Sequence, residues 1–132
     1  MALAPAAHAT FPGANGKIAF VRSGDIWTMN ADGTGQVNLT NDAAVQGSPA
    51  WSPDGNKIAY DQAGPNSSFT LWTMLADGSN RTQANVVFNQ MVDPAWSPDG
   101  TRIVFTNNVA LFTMNPDGTG TFGPIGSARV TT

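Results

Sequence analysis

Asp32, Asp54, Asp77, Asp99 and Asp117 are each followed by glycine, and with four further aspartates they make up all nine acidic residues of the chain. Carboxylates at recurrent spacing could hold calcium, which takes hard oxygen ligands. An EF-hand loop, however, needs a D-x-D-G core and a distal glutamate, and the chain contains no glutamate. An aspartate before glycine is also the residue that caps a tight turn. These five are therefore read as turn residues, with no metal ligand set and no cofactor expected. Nucleophilic catalysis would require a hydroxyl or thiol within reach of a base. His8 is the only histidine and lies in the N-terminal run "MALAPAAHATFPG"; there is no cysteine and no G-x-S-x-G elbow. No catalytic residue is assigned, and the chain is expected not to be an enzyme. Without cysteine, a disulfide framework and a thiolate metal site are excluded as well.

Three further patterns could carry binding. Asn38-Leu39-Thr40, Asn66-Ser67-Ser68 and Asn80-Arg81-Thr82 match the glycosylation acceptor pattern, a weak signal in a chain rich in Asn and Thr. The aromatic set Phe11, Trp27, Trp51, Trp72, Trp96 and Phe112 could line a sugar site. Recurrence at equivalent positions favours core packing instead. The segment "DQAGPNSSF" at Asp61–Phe69 is the one connection not dictated by the repeat described next. Such variable loops carry function in many proteins.

The elements that position these residues come from a repeat. "PAWSPDG" occurs at Pro49–Gly55 and again at Pro94–Gly100. In that register "KIAY" (Lys57–Tyr60) lies against "RIVF" (Arg102–Phe105), and "LWTMLADG" (Leu71–Gly78) against "LFTMNPDG" (Leu111–Gly118). An earlier copy supplies "KIAF" (Lys17–Phe20) and "IWTMNADG" (Ile26–Gly33), with Phe11 at the tryptophan position. Repeats of this length signal solenoids, propellers or arrays. Each unit reads as four strands joined by turns, about 7–41, 42–86 and 87–132. In Ser52-Pro53-Asp54-Gly55, proline presets φ and glycine suits the exit. Alternation places Ile18 and Phe20 on one face of a strand and Ala19 and Val21 on the other. Both faces are apolar, so each sheet must be covered on both sides, as in sheets stacked around an axis. Pro124 is expected on an outer edge strand, where proline is tolerated.

Composition agrees with an all-β domain. The chain is 41% apolar and 11% charged, with 14 glycines and 9 prolines, which is too apolar for disorder and rich in turns. A formal charge of −3 leaves no basic footprint for nucleic acid. No apolar stretch is long enough for a membrane span. Ala7-His8-Ala9 has the small-x-small form of a signal-peptidase site, so residues 1–10 are read as an export-signal remnant or an N-terminal strand.

"PAWSPDGNKIAY", "PAWSPDGTRIVF" and the "IWTMNADG" runs resemble the PD40 (WD40-like) repeat of TolB-type β-propellers, over residues 11 to 125. The resemblance implies an extracytoplasmic, non-catalytic propeller of six blades that binds protein partners. The chain supplies three blades, half of such a ring. The expectation is a self-assembling scaffold for protein–protein interaction, closed as a head-to-tail homodimer. The alternative is a carbohydrate- or small-ligand-binding propeller related to a carbohydrate-active enzyme. The residues do not identify a ligand- or partner-binding site.

Overall fold

The computed structural model describes residues 16–85, 88 and 90–125. The inner strand expected at residues 7–11, with Phe11 and the export-signal reading of residues 1–10, lies outside them. Ten strands are described: β1 (Lys17–Arg22), β2 (Asp25–Asn30), β3 (Val37–Asn38), β4 (Gln46–Trp51), β5 (Lys57–Ala63), β6 (Phe69–Leu75), β7 (Thr82–Gln83), β8 (Val92–Trp96), β9 (Ile103–Thr106) and β10 (Leu111–Met114). They form three antiparallel sheets in chain order: β1-β2-β3, β4-β5-β6-β7 and β8-β9-β10. The fold is an all-β set of propeller blades. Only the middle sheet shows four described strands.

The turns follow from their residues. Gly55 and Gly100 donate their N–H groups to the carbonyls of Ser52 and Ser97, each at 2.9 Å, closing the Ser-Pro-Asp-Gly turns. Both glycines have φ of +71°, which a side chain would strain. The short outermost strands are tied back the same way in two blades: Leu39 N–H reaches Ile26 O at 2.9 Å, and Ala84 N–H reaches Leu71 O at 2.8 Å. The third blade differs. Pro124 occupies the equivalent position and has no N–H. Ile125, one residue later, donates to Leu111 O at 2.7 Å instead. Among the described residues the outer edge there is a single Thr113–Phe122 bridge, so Pro124 lies beyond that bridge rather than in an edge strand.

The core lies between the blades. Ile26 and Leu39 of the first blade meet Ile58, Tyr60 and Met74 of the second, with Trp51 and Trp72 packed against them. Ala59, Leu71 and Ala84 from the other face of the second blade meet Ile103, Phe105, Phe112 and Met114 of the third, with Trp96 against them. The middle blade is therefore buried on both faces, as alternating apolar side chains require. Backbone links repeat at each seam. Gln46 N–H bonds Gly24 O at 2.7 Å between blades one and two, and Met91 N–H bonds Phe69 O at 3.0 Å between two and three. Trp96 adds an indole N–H bond to Ala50 O at 3.1 Å across the second seam.

Two stability predictions follow from these seams. Trp96→Ala removes a large ring and leaves Ala50 O without its indole donor; chemical denaturation should show a loss of about 3–5 kcal/mol, and a loss under about 1 kcal/mol would contradict its packing role. Tyr60 is fully buried, and its hydroxyl has no hydrogen-bond partner among the described residues. Burial pushes the phenol up to about 12. Its counterparts in the other copies are Phe20 and Phe105. Tyr60→Phe should therefore leave stability unchanged or raise it by about 1 kcal/mol, because an unpaired polar group is removed from the interior.

Candidate functional site: turn caps, blade seams and the inner rim

All five Asp-Gly carboxylates cap their own turns. Asp54 accepts from Ser52 Oγ at 2.6 Å and Asn56 N–H at 3.0 Å. Asp99 accepts from Ser97 Oγ at 2.6 Å and from Thr101 N–H and Oγ at 3.0 and 2.8 Å. Asp32, Asp77 and Asp117 each accept from the N–H and hydroxyl two residues on, at Thr34, Ser79 and Thr119. These bonds favour the ionised carboxylate. The Ser97 hydroxyl, followed by the Thr101 donors, lowers Asp99 to about 2. Thr34, Ser52, Ser79 and Thr119 hold Asp32, Asp54, Asp77 and Asp117 below the ordinary carboxylate value. The carboxylates sit on separate turns and do not converge.

The other sequence candidates disperse in the same way. His8 lies outside the described residues. Asn66 and Asn80 are exposed, while Asn38 donates to Asp25 Oδ2 at 2.8 Å. Trp27, Trp51, Trp72 and Trp96 are half-buried and Phe112 is buried. The Asp61–Phe69 segment is partly structural. β5 runs on to Ala63, a 3-10 turn spans Pro65–Ser67, and Ser67 O accepts from Gln90 Nε2 at 2.7 Å. The segment thus anchors the chain as it enters the third blade.

Two features were not anticipated. The first is a polar clasp where the inner strands β4 and β8 run side by side. Ser48 Oγ donates to Asp93 Oδ1 at 3.1 Å, and Asp93 N–H donates to Asp61 Oδ2 at 3.3 Å. Ser48 and Asp93 hold equivalent positions before a proline, with φ of +49° and +54°, at bulges in both strands. The two bonds link β4, β5 and β8 at these bulges. The clasp's signal in the sequence is the shared position of "SP" and "DP" in the repeat.

The second feature is a pair of grooves on the seams. One, of about 390 Å³, is lined by Lys17, Thr28, Val37, Trp51 and Asp77. Its counterpart, of about 220 Å³, is lined by Lys57, Thr73, Asn80 and Asp117. In each, a lysine of one blade and the turn aspartate of the next line the same groove. Arg81 also spans the first seam. It bonds Asp42 Oδ2 at 2.6 Å and the carbonyls of Leu39 and Thr40 at 2.8 and 2.7 Å.

No family model matches the chain, and no curated protein matches its sequence. Solved structures do match. A protein assigned as TolB from Agrobacterium tumefaciens is similar at a TM-score of 0.68 and 22% identity, over 83% of this chain and 46% of that one. TolB from Acinetobacter baumannii is similar at 0.66 and 18%, over 80% and 28%. An oligogalacturonate lyase solved in complex with manganese is similar at 0.58 and 16%, over 80% and 30%. The chain spans less than half the length of each. It has the TolB-like propeller fold, a fold that the lyase also carries, so the fold alone does not give the function. Among the described residues no helix is long and apolar enough to cross a membrane.

The turn caps generate a pH dependence. Asp99 has a folded value of about 2 against an ordinary 3.8. The unfolded chain therefore binds more protons in that window, and stability present above it is lost as pH falls through it. Thermal unfolding at about pH 3 should fall below that at neutral pH. In Asp99→Asn, which still accepts through Oδ1, the difference between the two pH values should shrink. An unchanged difference would show that the capping bonds do not set acid stability.

Proposed function

We propose that the chain is a non-catalytic propeller scaffold for protein–protein interaction, acting outside the cytoplasm and completing its ring by pairing with a second copy of itself. The supporting observation is a contrast between blade ends and blade seams. Ile18 is 43% exposed, whereas its counterparts Ile58 and Ile103 are 0% exposed. Leu111 is 48% exposed, whereas its counterparts Ile26 and Leu71 are 0% exposed. Exposed apolar faces of this kind mark interfaces. Propellers close with about 4–8 blades. Two three-bladed chains, head to tail about a two-fold axis, give six and leave no free end. The extracytoplasmic placement rests on the repeat's resemblance to TolB-type propellers and on the Ala7-His8-Ala9 run.

The 390 Å³ groove favours a second reading. It brings Lys17, Asp77 and the Trp51 ring together, and the buried Trp51 indole N–H has no partner among the described residues. A ring edge beside charged groups suits a carbohydrate or another small polar ligand.

Light scattering at micromolar concentration tests the first reading. The expected mass is twice the 13.8 kDa of one chain. A stable folded monomer would rule out closure by a second copy. Glycan-array binding abolished by Lys17→Ala would favour the second reading.

A further inference from the structure

The two seams inside the chain are built to one plan, and the plan specifies what the exposed ends should meet. Three parts recur. First, an apolar residue near the start of the third strand of one blade shares a core cluster with the last aromatic of the second strand in the next: Ile26 with Tyr60, then Leu71 with Phe105. Second, the glycine of the Asp-Gly turn lies on the residue that closes the preceding blade's outer edge. A Cβ on Gly78 would stand 2.7 Å from Leu39 O, and a Cβ on Gly118 would stand 2.6 Å from Ala84 Cα. Third, a lysine and the turn aspartate of the next blade line one groove: Lys17 with Asp77, then Lys57 with Asp117.

Each part has its remaining half on the outward side of the first or third blade. Phe20 is half-buried on the first blade's outer face, beneath the Arg22 guanidinium, 5.2 Å from the ring centroid. Gly33, with φ of +85° like Gly78, has nothing within 4 Å of a Cβ built on it. Asp32 is exposed. At the other end stand Leu111, 48% exposed, and Ile125, 51% exposed. Ile125 has taken over the closing hydrogen bond that Leu39 and Ala84 make in their blades. Arg102 holds the register of Lys17 and Lys57; it bonds Asn115 Oδ1 and Thr113 Oγ at 2.6 and 2.7 Å and lies 4.7 Å over the Phe122 ring.

We propose that a second copy of this chain forms the missing seam in the same register, with Phe20 of one chain packing on Leu111 of the other, the Gly33 turn seated on Ile125, and Asp32 and Arg102 lining one groove. The proposal rests on the ring-closing reading above and adds its residue pairing. The contact is heterologous: the Phe20 face meets the Leu111 face and never its own copy. A two-fold axis makes both junctions of the ring equivalent.

The chain has no cysteine, so single thiols can be placed without background. Phe20→Cys and Leu111→Cys are prepared separately, and each is shown by light scattering to be dimeric. They are then mixed, allowed to exchange, and treated with a short bismaleimide. The mixture should yield covalent dimers, and neither variant alone should. Self-cross-linking of Phe20→Cys, or a dimer whose mixture yields no covalent product, overturns the pairing and leaves the dimer reading standing. A monomeric wild-type chain overturns both.

Gly33→Asn gives an independent arm. Asparagine tolerates positive φ, and the isolated chain has open space at that position. The variant should keep the wild-type circular dichroism spectrum and dimerise at least tenfold more weakly. Dimerisation at wild-type strength would overturn the seating of the Gly33 turn on Ile125.

Discussion

A four-stranded sheet with apolar side chains on both faces cannot stand alone in water. Everything else in this molecule depends on covering each face with the next sheet. The middle blade shows the requirement met. Ile58, Tyr60 and Met74 are buried against one neighbour, and Ala59, Leu71 and Ala84 against the other. The apolar area removed from water at such seams is the main favourable term in folding. Hydrogen bonding within each sheet is local and does not tell one blade where the next should lie. Position along the ring is set by side chains and by the few backbone links that cross the seams.

Those links sit at the margins of the apolar contact. Gln46 and Met91 tie the entry of each inner strand to the preceding hairpin. Arg81 grips Leu39 O and Thr40 O as the chain passes from the first blade to the second. Its contact with the exposed Asp42 carboxylate adds little by itself, because exposed ion pairs are screened. The carbonyl bonds orient the guanidinium. Among the described residues no arginine spans the second crossing; Asn85 N–H bonds Gly118 O there at 3.1 Å. The same chain path is thus fixed by a long side chain at one seam and by backbone contact at the other.

Much of this was legible in the residues. The twice-used Trp-Ser-Pro-Asp-Gly run announces its turn, because proline, aspartate and glycine each suit one position of it. Alternation in "KIAY" and "RIVF" reports strands covered on both faces. What escaped is whatever depends on a single residue's fit to its surroundings. Pro124 aligns with Leu39 and Ala84, yet lacks the N–H that their position uses, so the bond passes to Ile125. Nothing in the pattern of apolar residues signals that slip. Ser48 and Asp93 look like ordinary strand residues before proline, whereas both take left-handed backbone at a bulge. The Asp61–Phe69 segment reads as a free loop because its length departs from the repeat, and its anchoring of Gln90 is a tertiary contact.

The outer edges carry a consequence of their own. β3 and β7 are each two residues long, and among the described residues the third edge is a lone bridge followed by Gly123 and Pro124. A long free edge would offer a row of unpaired N–H and C=O groups to any passing strand and invite edge-to-edge growth. Here each outward ladder stops before a foreign strand could pair over more than a residue or two, and proline removes a donor where the third ends. In such a chain the sheet faces can stay apolar while the rim resists edge-to-edge pairing. Lengthening an outer strand, however well it paired locally, would open the amyloid route that this rim closes.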